Sequence, residues 1–428
     1  MDILQMTFGK SGSLAVLNAD NFKRNLLVMT RMIPIDKNDT ALDEFLPAVL
    51  LRGCQKHPQY ADIKRQCELL YGATLEYYYS YFGDYLMINY CADFLDDAVV
   101  GSSNTILHGV VDLMSQVWLH PIFDKNGCFL KEEVEKAQNA FCDAIRASDN
   151  DTAAYALRKA REIVCSADSN GYSVSVEDIE KITPQALTER YNYLIENDNS
   201  TFFYVGNQDP QKIACVLDKY FGDAEYVPCS NISLTPVQSL SQIVSEKQTL
   251  PVKQGKLTIG VTSGITMSDK DYYAMLVAVE LFGGNSSSKL FTNVRERLGL
   301  CYYCGASYSK LKGIVYISAG IDPDDLEDVK AEIFAQIEQF KQGNVTDSEI
   351  KSAKLSLINS ARQLYDRPYS MWSFCNTRLM LGLSTNVAHH IDMIQSVSYE
   401  DITRVAQTWR VSGEFFVNAN GSDDIDDD

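Results

Sequence analysis

Apolar and polar positions along this chain follow two rhythms, and each occurs twice. Near-continuous apolar runs at 12–18 and 25–33 predict buried strands. The stretch from Ala41 to Gly53 then carries Leu42, Phe45, Leu46, Val49 and Leu50 at i, i+3, i+4, i+7 and i+8, the stripe of an amphipathic helix stopped by glycine. After Gly72 the run Tyr77–Phe82 is aromatic and predicts a strand whose rings pack across neighbouring strands. The same run could instead form a cavity wall, or an edge to which an extended peptide adds as a further strand. Past the midpoint the order returns, with a strand at 256–262 and a helix at 271–284 that stops at Gly283-Gly284 before a new cap at Ser286–Ser288.

Direct comparison of the two halves supports one unit written twice. Residues 179–207 read IEKITPQALTERYNYLIENDNSTFFYVGN and residues 394–421 read IQSVSYEDITRVAQTWRVSGEFFVNANG. Both give an apolar residue, a Thr or Ser cap, a helix and a Phe-Phe strand ending near Gly. Ile182 to Val397 and Thr183 to Ser398 are both offsets of 215. Upstream, 145–164 resembles 360–380, with Arg146 to Arg362 at 216. The order of strands, helices, a hairpin, long helices and a last strand predicts an α+β fold. It has two tandem domains, each an antiparallel-rich sheet with helices packed on one face. The expected boundaries are 1–227, a Ser-, Gln-, Val- and Pro-rich linker at 228–255, 256–420, and an acidic tail at 421–428.

Composition narrows the classes. The 428 residues are 46% hydrophobic and 22% charged, enough apolar material for true cores. No run approaches the ~20 apolar residues of a membrane span, and the first residues lack the pattern of a signal peptide. The expectation is a cytoplasmic chain whose eleven cysteines are mostly reduced core thiols, Cys54 and Cys91 among them. A net charge of −19 argues against nucleic acid as partner. Cys301 and Cys304 are a lone CxxC, weak as a metal signal without a second pair. Five histidines are present, none paired at i, i+4 around a Glu, and His389-His390 falls in a polar segment expected to be solvated. No phosphate-binding glycine loop and no GxSxG elbow occurs.

Two similar α+β halves, with SSSKLFTNVRERLGLCYYCGASYS at 286–309, resemble the pitrilysin/insulinase-type metallopeptidases, the inverzincins, over nearly the whole chain. The resemblance is to their two-domain branch, a clamshell like the mitochondrial processing peptidases, and within it to the inactive YfmF-like subunits. It implies that Arg295 and Tyr302, seven residues apart, match an Arg that holds substrate backbone and a Tyr that donates to the oxyanion. Active members carry H-x-x-E-H on the first helix of the first half, two zinc-binding His and a Glu that activates water. Here those positions are Glu44, Pro47 and Ala48, none suited to its role. A third ligand would fall near Asp143 or Ala144. The resemblance therefore implies no metal and no cofactor in this chain. It points to a non-catalytic subunit paired with a zinc-bearing paralogue, or a homodimer, acting on a peptide or protein substrate, with a link to elongation factor P modification. Arg295 and Tyr302 would serve the partner's site in trans. A structural or peptide-binding protein derived from the same fold, with no role in hydrolysis, is the alternative.

Overall fold

A computed structural model describes residues 3–101, 105–227 and 232–419; the acidic run at 421–428 and part of the 228–255 linker lie outside them. By packing, the chain falls into two compact units. One comprises 1–146, 174–232 and 363–386, and the other 147–173, 233–362 and 387–428.

The first unit is built on six strands: β1 (Ile3–Phe8), β2 (Gly12–Asn18), β3 (Arg24–Pro34), β4 (Thr74–Phe82), β5 (Tyr85–Leu95) and β6 (Thr201–Gly206). Their order is β1-β2-β6-β3-β5-β4, antiparallel except for the parallel β2–β6 pair. The central strands β3 and β5 are buried almost throughout, which is why they read as continuous apolar runs. Helices α1 (Thr40–Leu50), α2 (Tyr60–Leu69), α3 (Thr105–Leu119), α4 (Lys131–Asn150), α6 (Val176–Glu180), α7 (Pro184–Glu196) and α8 (Pro210–Phe221) accompany this sheet. Its core joins Phe45, Leu46 and Leu50 of α1 to Leu107 and Val111 of α3, Leu187 of α7 and Leu217 of α8.

The second unit repeats the plan with β7 (Val244–Leu250), β8 (Gly255–Thr262), β9 (Tyr303–Ser309), β10 (Ile314–Ile321) and β11 (Arg410–Ala419), in the order β7-β11-β8-β10-β9. Again one pair, β7–β11, is parallel. Strands β6 and β11 are the two Phe-Phe strands, each flanked by a parallel neighbour on one side and an antiparallel one on the other. Among the described residues strand β1 has no counterpart in the second sheet. Helices α9 (Tyr272–Val279), α10 (Leu326–Lys341), α11 (Asp347–Gln363), α13 (Val387–Ser396) and α14 (Tyr399–Ala406) belong here, around Phe282, Phe340 and Trp409.

Each sheet also takes a helix from the other half of the chain. Helix α5 (Thr152–Val164) sets Ala156, Ala160 and Ile163 against Phe415 and Val417 of β11, while the intervening Phe416 turns into the main core. Helix α12 (Pro368–Met380) packs on β3 and β6, and its Trp372 meets Tyr78 of β4 edge-on at 5.9 Å. These are the two segments that match at offset 216. His390 corrects the expectation of a solvated pair. It is buried on α13 beside Tyr273, with Nδ1 3.2 Å from the phenol oxygen, whereas His389 is exposed.

The capping equivalence is a matter of hydrogen bonds. Thr183 Oγ1 accepts the Ala186 N–H at 3.2 Å at the start of α7, and Ser398 Oγ accepts the Asp401 N–H at 3.1 Å at the start of α14. At α14 the Asp401 carboxylate returns the favour to the Ser398 N–H at 3.0 Å, closing a capping box. Ser398→Ala is expected to cost about 1 kcal/mol in urea unfolding, and Ser398→Gly only a few tenths. Equal losses for the two would argue against a capping role. Among the described residues no helix is long and apolar enough to cross a membrane.

Candidate functional site

The degenerate motif lies on α1 in the first unit. Its stripe buries Phe45, Leu46, Val49 and Leu50, and Phe45 meets Phe141 of α4 edge-on at 5.7 Å. Arg190 of α7 fixes the start of α1, donating from Nε and Nη2 to the two Asp43 oxygens at 2.7 Å each and from Nη1 to Asp39 at 2.8 Å. Burial pushes the Asp43 carboxyl up to about 6, against the pull of Arg190.

One residue further on, Glu44 is only 3% exposed. It accepts a hydrogen bond from the Tyr81 hydroxyl at 2.8 Å and is also bonded to the Tyr79 hydroxyl. Tyr79 and Tyr81 stand on β4, the outer strand of the sheet, and burial beside this carboxylate pushes the Tyr79 phenol well above its usual range. Pro47 is inside the helix and not in its first turn, so it withholds a backbone donor from the turn before it. Its own carbonyl still accepts from Leu51 at 3.2 Å, and the helix runs on. Ala48 has no donor atom. On α4, Asp143 is exposed and ion-paired with Arg146 at 3.2 Å, and Ala144 is exposed beside it.

These residues do not fit a zinc ion. A single carboxylate is engaged by two phenols, and the positions one turn on are Pro and Ala. Among the described residues no three His, Cys, Asp or Glu side chains converge as a metal would need. Glu44 therefore acts as a structural acceptor. Glu44→Ala should lower stability by about 1–3 kcal/mol through its stranded phenols, with zinc content unchanged by elemental analysis.

Arg295 and Tyr302 lie together in the second unit. Residues Phe291–Arg297 form one wide helical segment with Leu290 and Val294 fully buried. Lys289 anchors its start on Glu349 at 2.9 Å and Asn293 ties it to Gln336 at 2.9 Å. The Arg295 side chain is 40% exposed, its guanidinium 4.6 Å from the Phe291 ring centroid and 3.8 Å from Glu296. Gly299, at φ +68°, donates to the Arg295 carbonyl at 3.0 Å and turns the chain toward β9. Tyr302 then joins the sheet through its N–H to the Gly320 carbonyl at 2.8 Å, while its side chain is 66% exposed. A helix end and a strand start, both pinned by buried neighbours, thus hold a cation and a phenol toward solvent.

Residues 181–357 match the family profile described as "Peptidase M16 inactive domain". Over those residues the chain is similar to the inactive domain of the M16 peptidases. Across 415 residues, 95% of this chain and 96% of the relative, it is 25% identical to the "Probable inactive metalloprotease YmfF" of Bacillus subtilis (strain 168). It is 22% identical to the "Uncharacterized zinc protease YmxG" of the same organism, over 69% of this chain and 71% of that one. Its fold superposes on a conserved protein from Enterococcus faecalis V583 with a TM-score of 0.89 at 19% identity, covering 99% and 100% of the two chains. The sequence signal carrying the family was the 286–309 run. The tyrosine partners of Glu44 and the Asp43–Arg190 pair carried none, since each depends on strands or helices distant in sequence.

Proposed function

We propose that this chain is the non-catalytic subunit of a heterodimeric zinc metallopeptidase. In that complex it supplies Arg295 and Tyr302 to the site of a zinc-bearing paralogue. The observation that carries this reading is the asymmetry between its units. The α1 positions are converted to packing and internal hydrogen bonding, with Glu44 held by Tyr79 and Tyr81, whereas Arg295 and Tyr302 stay exposed on a braced turn. A guanidinium binds peptide carbonyls and a phenol donates to a developing oxyanion, chemistry that would complement a metal-bound nucleophile supplied from elsewhere. Edge strand β4 offers unpaired backbone to which an extended peptide could add. The resemblance to YfmF-like proteins adds modification of elongation factor P as the process served, in a cytoplasmic setting.

Reconstitution tests it. Purified alone, this chain should neither hydrolyse a quenched-fluorescent peptide library nor carry zinc. Mixed with its zinc-bearing paralogue it should form a stable complex with one zinc per pair and raise turnover at least about tenfold over the paralogue alone. No complex, or a complex with the paralogue's own rate, overturns the reading.

A further inference from the structure

We propose that the first unit carries a binding site for an uncharged molecule with a carboxamide edge, in a cavity between its sheet and the C-terminal end of α12. The cavity measures about 380 Å³, and every residue lining it belongs to that unit. Pockets of about 300–1,000 Å³ are those that take small organic ligands. Ala15 of β2 and Phe203 of β6 lie at its base, on the sheet face opposite to Leu14, Val16 and Phe202 of the main core. Leu379 and Met380 of α12 form a wall, and exposed Ser13 stands at the mouth.

The residue that points to a ligand is Asn376. It lines the cavity, is only 4% exposed, and donates from Nδ2 to the Met380 sulfur at 3.9 Å, a weak acceptor. Among the described residues no group donates to its side-chain carbonyl. A buried amide paired so poorly disfavours the folded state unless something else completes it. The internal repeat shows that the fold does not require it. At the offset of 216, Asn376 of α12 stands where α5 has Ala160, which is fully buried in the apolar cluster with Phe415 and Val417. One half closes this place with a methyl group; the other keeps a donor and an acceptor beside an open cavity.

The lining selects the chemistry. Its polar side chains, Gln5, Ser13, Asn199, Thr201 and Asn376, carry no charge, so an ion entering would shed water without gaining a counter-charge. Asn199 is already engaged by the Met32 backbone, donating to its carbonyl and accepting from its N–H. Asn376 presents a donor beside an acceptor, and a second carboxamide matches both at once. Phe203, Leu379 and Met380 receive the apolar remainder of the molecule. The site shares no residue with the Arg295–Tyr302 turn and does not rest on the function proposed above.

Benzamide is the probe, with benzoate, benzylammonium and toluene as controls of similar size that are anionic, cationic or without the amide. In saturation-transfer NMR on the full-length chain, benzamide should bind at about millimolar concentration, and each control about tenfold more weakly. Ser13→Phe, which fills the mouth from an exposed position, should abolish binding. Asn376→Ala installs the residue of the sister helix. It should weaken benzamide about tenfold while the melting temperature holds or rises, because an ill-paired buried amide has gone. A merely structural Asn376 would give the reverse, a lower melting temperature with affinity retained, and that result overturns the proposal. So does the absence of benzamide binding, or equal binding of all four probes. Should Asn376→Ala fail to fold, Ser13→Phe decides: benzamide bound as tightly as by the natural chain rules the site out.

Discussion

Tyr302→Phe, in the complex with a zinc-bearing paralogue, is expected to lower kcat about 100-fold and leave KM nearly unchanged. Removing one preorganised donor to a tetrahedral oxyanion costs about 10²–10³ in kcat, roughly 2.7–4 kcal/mol. The split follows from when the bond matters: an interaction made only in the transition state appears in kcat and not in ground-state binding. The substitution keeps the ring and deletes only the hydroxyl of a residue that is 66% exposed, so thermal stability should not move. Arg295→Ala should behave differently. A guanidinium on substrate backbone stabilises ground and transition states alike, which raises KM, by about tenfold for one charge-assisted hydrogen bond. Arg295→Lys should recover little of this, because an ammonium cannot reproduce the planar fork. Unchanged turnover for both variants in an intact complex would leave the chain a scaffold.

How far the sequence carried depended on whether the controlling contacts were local. The offset of 215 identified Thr183 and Ser398 as equivalent caps, and both bond the N–H three residues on. The α1 stripe was legible because 3.6-residue periodicity depends on neighbours along the helix. What that stripe could not carry was the fate of Glu44, decided by β4, 37 residues away. Helices α5 and α12 show the same limit. Their apolar faces announced burial but not against which sheet, and each packs on the sheet built mainly by the other half. Strand β7 was hidden within a polar linker because its side chains are exposed on both faces, leaving no alternation to read. Backbone pairing to β11 alone defines it. His390 looked solvated because its partner, Tyr273, is 117 residues away.

The same distinction governs the largest expected loss of stability, at Asp198. Arg31 on β3 is 2% exposed, and its Nη1 lies 3.4 Å from Asp198. Its Nη2 donates to the carbonyls of Leu194 and Asn197, and the guanidinium sits 5.2 Å from the Trp118 ring centroid. Asp198 in turn accepts from Trp118 Nε1 at 3.2 Å and the Ser200 N–H at 2.8 Å. Burial lowers the Arg31 pKa, and the Asp198 charge opposes that shift most strongly. Asp198→Ala removes the counter-charge and strands both donors, and should cost about 3–5 kcal/mol in urea unfolding. Asp198→Asn keeps an acceptor for Trp118 and Ser200 but still leaves a buried cation without its anion, so it should recover only part. Arg31→Met with Asp198→Asn removes both charges. It should be less destabilised than the sum of the single changes by about 1–3 kcal/mol, since a neutral pair of similar volume escapes the desolvation penalty. Single costs that simply add would mean that Arg31 is held by the Leu194 and Asn197 carbonyls and the Trp118 ring, and that its ion pair with Asp198 contributes nothing.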